Sequence, residues 1–354
     1  MFDYEKKVHF CSDGLELSVR DHANILLAMD EKNSIKMDAY SLGGSVEEFE
    51  IKVADLLGKE KAIFMPSGTL ANQIAVRTLA GEKSRVLAHK LSHLANDCGD
   101  CIPKLNRLNL IPLDGSGATY TLEEVKEYVG RTADGKVDTG VGVISIETPV
   151  RRRNGEMFDF EEMKKISGFA RQANIKLHLD GARIFLQSAY TGIDPAEYAS
   201  YFDTVYFSLW KYFNTPVGAM LAGPANVIEG LFHVRRMFGG CLYQAWPFAA
   251  FCLYFLEGLL DRLKSAMAAV ETLKKALAAD PHFQVEEIEN GSHIFILKVN
   301  EDVNPDDLAK RLKEHNIILP KPEKAFHGFY MRVNESLNHM PPDQLAQRFV
   351  DAVN

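Results

Sequence analysis

Residues 204–223 read TVYFSLWKYFNTPVGAMLAG. Thr204–Leu209 is a run of β-branched and aromatic residues and reads as a strand; Val217–Leu221 reads as another. Between them stands one cation, Lys211, among Leu209, Trp210, Tyr212 and Phe213. Lysine is rarely buried without a partner, so its place just past a strand end needs a reason. Upstream the same type of strand recurs, at Ala62–Met65, Arg85–Ala88, Leu108–Pro112, Val141–Ile146 and Ile175–Leu179, the last ending at Asp180. Helical stretches separate them. One runs from Thr69 to about Ala80, one opens on the capping box Thr121–Glu124, and one is capped by Asp159. Strands without polar alternation, interleaved with helices, predict an α/β fold whose mostly parallel sheet is covered by helices on both faces.

After Pro224 the pattern changes. Helical segments over about 225–238 and 246–279 precede strands at Gln284–Ile288 and His293–Val299, a helix from Pro305 to His315, short strands to Val333 and a last helix from Pro342. This predicts two domains: residues 1–250, a large ligand-binding domain with an N-terminal segment, and residues 251–354, a smaller α+β domain. The length of 354 residues suits that division. Lys and Arg number 40 against 48 Asp and Glu, a net charge of −8. Nucleic acid is therefore not an expected partner. The most apolar stretch, Ala245–Leu260, contains Glu257 and is shorter than the ~20 residues a spanning helix needs. It reads as a buried helix, in the core or at a subunit interface. Met1–Lys7 has no apolar signal core. The five cysteines, odd in number and scattered, suit a reducing compartment, so the cytoplasm is the expected location. Cys98-Gly99-Asp100-Cys101 has C-x-x-C spacing, but no second such pair completes a zinc set. Arg151-Arg152-Arg153 reads as a solvated loop or as an anion contact at a strand's carboxyl edge.

Three features converge on the lysine. Asp180 ends one strand, Lys211 follows another, and Ser67-Gly68-Thr69 lies between a strand and a helix. A helix N-terminus suits a phosphate, and Gly68 lets the backbone approach it closely. A buried lysine is a usable amine that forms Schiff bases with aldehydes. Pyridoxal 5′-phosphate needs such a lysine, an acid for its ring nitrogen and a phosphate site. Singly, each feature has a plainer reading: an N-cap at Ser67, a turn at Asp180-Gly181, a lysine that snorkels to solvent. Their order and placement at strand ends favour the cofactor.

The chain resembles the threonine aldolase branch of the β-eliminating lyases, which are fold type I pyridoxal-phosphate enzymes. The resemblance is carried by FCSDG (10–14), FMPSGTLANQ (64–73), HKLSH (89–93), ISIETP (144–149), HLDGARIF (178–185), SLWKYFNTPVGAMLAG (208–223), RRMFGG (235–240) and YMRVN (330–334). It implies that Lys211 carries the cofactor as a Schiff base and that Asp180 pairs the pyridine nitrogen. Ser67, Gly68 and Thr69 would hold the phosphate. His93 would stack on the ring and assist proton transfer, itself or through a water. Ser12, Arg183 and Arg332 would hold the substrate carboxylate, and Arg235 or Arg236 would reach a phosphate in a neighbouring subunit. Metal ligands are not expected. The implied reaction is retro-aldol cleavage of L-threonine, L-allo-threonine or a bulkier relative to glycine and an aldehyde. The implied assembly is a homo-oligomer, dimer or tetramer, with sites at the dimer interface.

The sequence departs from the family where the substrate's side chain would sit. Tyr212, Phe213 and Asn214 follow the lysine in place of a small residue. Thr148-Pro149-Val150-Arg151 follows Glu147 in place of an ENTHN-like run. Val137 stands where relatives have a histidine and Tyr243 where many have an arginine. Two other readings therefore stay open: a β-eliminating lyase releasing pyruvate and ammonia, and a non-catalytic protein on the same scaffold.

Overall fold

The structure is a computed structural model that describes residues 6–133, 136–137 and 139–353. Most of Met1–Lys7, the stretch read for a signal core, therefore lies outside the described residues. Strand β1 is Val8–His9, β2 Lys61–Met65, β3 Arg85–His89, β4 Asn109–Leu113, β5 Val141–Glu147, β6 Lys176–Asp180, β7 Thr204–Ser208 and β8 Ala219–Gly223. Later come β9 Phe283–Glu287, β10 Ile294–Val299, β11 Ile317–Ile318 and β12 Gly328–Arg332. Strands β2 to β8 form one sheet in the order β2-β8-β7-β6-β5-β3-β4. Only β8 runs against its neighbours β2 and β7; the remaining pairs are parallel. Every residue of β5, β7 and β8 is buried, which is why their sequences are unbroken apolar runs. The expected α/β architecture is present, with a small sheet β12-β10-β9 in the C-terminal part.

The helix Gly68–Ala80 crosses one face of the sheet, buried along most of its length. The helix Ile184–Thr191, which the sequence reading did not separate from its loop, packs on the long helix Leu259–Ala278. The stretch expected as one helix over 246–279 is two, Trp246–Leu256 and Leu259–Ala278. They break at Gly258, whose φ of 64° lies in the left-handed region that glycine tolerates. Residues 225–238 are likewise two short helices. The apolar helix Trp246–Leu256 packs against Gly44–Leu56 of its own chain, and no helix among the described residues is long and apolar enough to cross a membrane. Strand β1 pairs in parallel with β11, and the Phe10 ring meets Phe349 edge-on at 6.2 Å. The beginning of the chain is thus fastened to its end.

Candidate active site

The carboxyl ends of the parallel strands set the site. Glu147 ends β5 and Asp180 ends β6 beside it, as Cα partners in register. Lys211 lies just past β7. Ser67–Thr69 opens the helix after β2, and His93 opens the short helix after β3. Ser67, Gly68, Thr69, His93, Asp180, Arg183 and Lys211 all line one cavity of about 480 Å3. This is the edge at which open α/β sheets bind ligands.

Lys211 is 7% exposed, with Nζ 4.5 Å from the centre of the Trp210 ring. Burial, and then the Arg183 guanidinium, push its amine down to about 7. Its aromatic neighbours Tyr212 and Phe213 are fully buried beneath the cavity. Phe213 stacks on Phe207 at 5.6 Å and meets Phe49 and Phe185 edge-on. The departure from a small residue here fills the core, while Lys211 and Trp210 line the cavity. Asn214, at φ 58°, accepts from Leu15 N at 2.7 Å and donates to Glu335 Oε1 at 2.8 Å, pinning the loop after the lysine.

Asp180 is held by a residue that sequence reasoning missed. Asn72, fully buried in the helix Gly68–Ala80, donates through Nδ2 to Asp180 Oδ2 at 2.6 Å and stands 3.2 Å from His93 Nδ1. Its Oδ1 is 2.8 Å from His178 Nε2, and His178 Nδ1 is 2.9 Å from Thr204 Oγ1. Burial pushes His178 down to about 4, so the ring is neutral.

Arg183 Nε donates to Asp13 Oδ2 at 2.7 Å, and Asp13 Oδ1 lies 3.2 Å from His293 Nε2. Burial alone would raise the Asp13 carboxyl; Arg183 and then His293 hold it well below the usual carboxylate range. Among the described residues the terminal nitrogens of Arg183 make no hydrogen bond. Ser12 and Arg332 lie close to each other but not in the cavity lining. Arg332 N donates to Phe10 O at 3.1 Å, and Asn334, two residues on, donates to Ser12 O at 2.9 Å. Asp13, and not Ser12, is the N-terminal residue that touches the site.

Residues 23–300 match the model of the β-eliminating lyase family. The chain belongs to that family, in its threonine aldolase branch. It is 27% identical to the low specificity L-threonine aldolase of Escherichia coli over 80% of this chain and 82% of that one. It is 33% identical to the low-specificity L-threonine aldolase of Candida albicans over 61% of this chain, a match that spans 58% of the Candida protein. Among solved structures it is similar to an L-allo-threonine aldolase candidate from Listeria monocytogenes. That pair shares 26% identity and a TM-score of 0.79 over 99% of this chain and 96% of that one.

This β-eliminating lyase takes pyridoxal phosphate as its cofactor, and the donor set fits it. Ser67 caps the helix through Leu70 N at 3.2 Å. A methyl group at Gly68 would overlap the Tyr206 hydroxyl, so only glycine leaves the cradle open. Asp180 and Lys211 would supply the acid and the amine.

Three further expectations meet the structure. Arg235 is fully buried, with its guanidinium bonded to Phe64 O and 3.5 Å from Ser41 O. It therefore does not face a neighbouring subunit, while Arg236 is exposed over the Tyr40 ring at 5.0 Å. Arg151 lines the cavity but is 3.4 Å from Asp97, which Arg152 grips at 2.7 and 3.2 Å. Cys98 and Cys101 are buried free thiols, and Cys98 Sγ is 3.2 Å from His93 Nδ1. Among the described residues no three His, Cys, Asp or Glu gather to hold a metal ion.

Proposed function

We propose that this chain cleaves the Cα–Cβ bond of a β-hydroxy-α-amino acid of the L-threonine or L-allo-threonine type, giving glycine and an aldehyde. One observation carries the reading. A single cavity brings together a lysine amine near neutrality, a carboxylate fixed by Asn72 and a guanidinium fixed by Asp13. The names of the Escherichia and Candida relatives support the substrate class.

Bound there, pyridoxal phosphate supplies an electron sink for the bond that breaks at the substrate's Cα. The chain's own residues do the rest. Ser67, Gly68 and Thr69 present a helix N-terminus to the phosphate. Asp180, its Oδ2 occupied by Asn72, offers the buried negative charge that keeps a ring nitrogen protonated. Lys211 Nζ, brought down to about 7 by burial and then Arg183, can add to an aldehyde and can carry a proton. The terminal nitrogens of Arg183 have the planar fork that meets a substrate carboxylate, and Asp13 keeps that fork oriented.

The proposal includes a cytoplasmic homo-oligomer, a dimer or tetramer. Five free cysteines suit a reducing compartment. Met37, Tyr40, Leu42, Met237 and Tyr243 stay exposed, with the Tyr40 and Tyr243 rings 5.2 Å apart.

The test is product analysis. The loaded enzyme is given L-threonine, L-allo-threonine and L-phenylserine, and glycine, aldehyde and pyruvate are measured beside Lys211→Ala. Equimolar glycine and aldehyde, lost in Lys211→Ala, are expected. Pyruvate and ammonia would replace the reading by β-elimination, and no turnover of any amino acid would leave the non-catalytic reading.

A further inference from the structure

Resting on the retro-aldol reading above, we infer that Glu147, and not His93, takes the proton from the substrate's β-hydroxyl. The argument begins at Asp180. An ionised carboxylate only accepts, so the Asn72 atom 2.6 Å from Asp180 Oδ2 is the amide nitrogen. The second hydrogen of that nitrogen points to His93 Nδ1, 3.2 Å away. The amide oxygen remains for His178 Nε2 at 2.8 Å, which must carry a hydrogen. His178 Nδ1 then accepts from Thr204 Oγ1 at 2.9 Å. In this assignment each hydrogen of the Asn72 amide and of the His178 ring meets an acceptor, and reversing the amide would set its oxygen against a carboxylate. It fixes the tautomer of His93. The Nδ1 lone pair is taken by Asn72, and Cys98 Sγ lies 3.2 Å from the same atom. The neutral ring therefore carries its proton on Nε2. That nitrogen has only a 4.0 Å approach to Cys98 Sγ among the described residues. His93 offers its surroundings a hydrogen and not a lone pair.

Glu147 is the cavity's other buried acid, 5% exposed at the end of β5. Its Oε2 accepts from the backbone N of His93 at 2.5 Å and its Oε1 from that of Arg151 at 2.9 Å. These bonds fix the carboxylate and leave each oxygen a lone pair. Burial first, and then Asp180 on the adjacent strand, push it up to about 7, against the two N–H bonds and Arg183. The groups facing it are Asp180 and Arg183 from β6 and the segment after it, Tyr206 and Lys211 from β7 and the segment after it, His93 from the helix after β3, and Arg151 and Arg152 of its own segment. A fixed carboxylate poised near neutrality can both take and return a proton.

The step balances. The O–H bond of the substrate breaks and its proton goes to a Glu147 oxygen. The O–H electron pair becomes the second bond of the aldehyde C=O. The Cα–Cβ pair stays with the glycine fragment, which takes a proton at Cα from Lys211 Nζ before it leaves, and the proton on Glu147 passes back to that amine. The Nε2–H of His93 serves as a hydrogen-bond donor in the same cavity.

The test compares Glu147→Gln with the parent enzyme in two reactions: aldehyde release from L-phenylserine, and exchange of glycine's α-proton in deuterium oxide, which involves no hydroxyl. Glu147→Gln is expected to lower kcat for aldehyde release about 100-fold or more, with little change in KM. It should remove the limb near pH 7 from the kcat/KM profile and slow glycine exchange far less. Independently of activity, nitrogen-15 NMR of the cofactor-free chain should show the neutral His93 ring protonated on Nε2. Retention of both kcat and the pH limb in Glu147→Gln overturns the inference. So does a His93 proton on Nδ1, a result obtained on the parent chain even if the variant does not fold. If the parent enzyme releases no aldehyde from any β-hydroxy amino acid, the retro-aldol reading fails first and this inference falls with it.

Discussion

Replacing Asn72 by alanine should show how much of this protein's stability is vested in its site. The side chain is fully buried and makes a 2.6 Å bond to the Asp180 carboxylate. A hydrogen bond to a charged group contributes about 1.5–3 kcal/mol. Truncation also leaves the His178 Nε2–H without its acceptor in a ring that has no exposure, and an unsatisfied buried donor costs about 1–3 kcal/mol. Together the loss is about 3–5 kcal/mol, well above the ~1 kcal/mol of a typical substitution. Urea unfolding of the cofactor-free chain, followed by circular dichroism, measures it as a fall in midpoint at constant m-value. A loss below about 1 kcal/mol would refute the reasoning. It would mean that water replaces the amide at both partners and that Asn72 orients nothing. The same variant removes the Asn72 donor from His93 Nδ1 and leaves Cys98 Sγ beside it, so the ring's tautomer preference should weaken in its nitrogen-15 spectrum.

Two further outcomes follow from the geometry. Uptake of pyridoxal phosphate by the cofactor-free chain, read by absorbance, should rise with pH through an inflection near 7, the value to which burial and Arg183 bring Lys211. An inflection close to the 10.5 of an ordinary lysine would show that the amine is hydrated and its burial incidental. Phe213→Ala should cost about 3–5 kcal/mol as a cavity under the lysine loop, yet leave the ratio of threonine to allo-threonine turnover nearly unchanged, since the ring packs on Phe49, Phe185 and Phe207 beneath the site. A large change in that ratio would mean that Phe213 senses the substrate.

The strands were legible because burial on both faces writes itself as an unbroken apolar run, at Val141–Ile146 most plainly. Lys211, Asp180 and Ser67–Thr69 were legible because each follows such a run. The signal that marked Asp180 also marks Glu147, a carboxylate closing an apolar strand, but its role depends on which backbone N–H groups it meets. Asn72 gives no sign: its helix is buried on nearly every side, and only the fold shows that its amide faces Asp180 and His178. Asp13 is silent for another reason, because its partners Arg183 and His293 lie 170 and 280 residues away. The helices Val19–Glu31 and Gly44–Leu56 were missed as well. The first is mostly exposed with Val19 and Leu27 in solvent, and the second opens on Gly43-Gly44 at positive φ, which reads as a loop.

The pairing of β1 with β11 and the contact of Asp13 with His293 carry a consequence for how the protein is made. The central sheet is complete at Gly223, so a ribosome can release a folded sheet long before the chain is finished. The guanidinium of Arg183, however, gains its full setting only when His293 and the strand at 317–318 have emerged to meet Asp13 and Val8–His9. Closing that distance is an entropic search across most of the chain. Nascent chains stalled before residue 293 therefore carry Lys211, Asp180 and Arg183 without the His293 contact that holds Asp13 against the guanidinium.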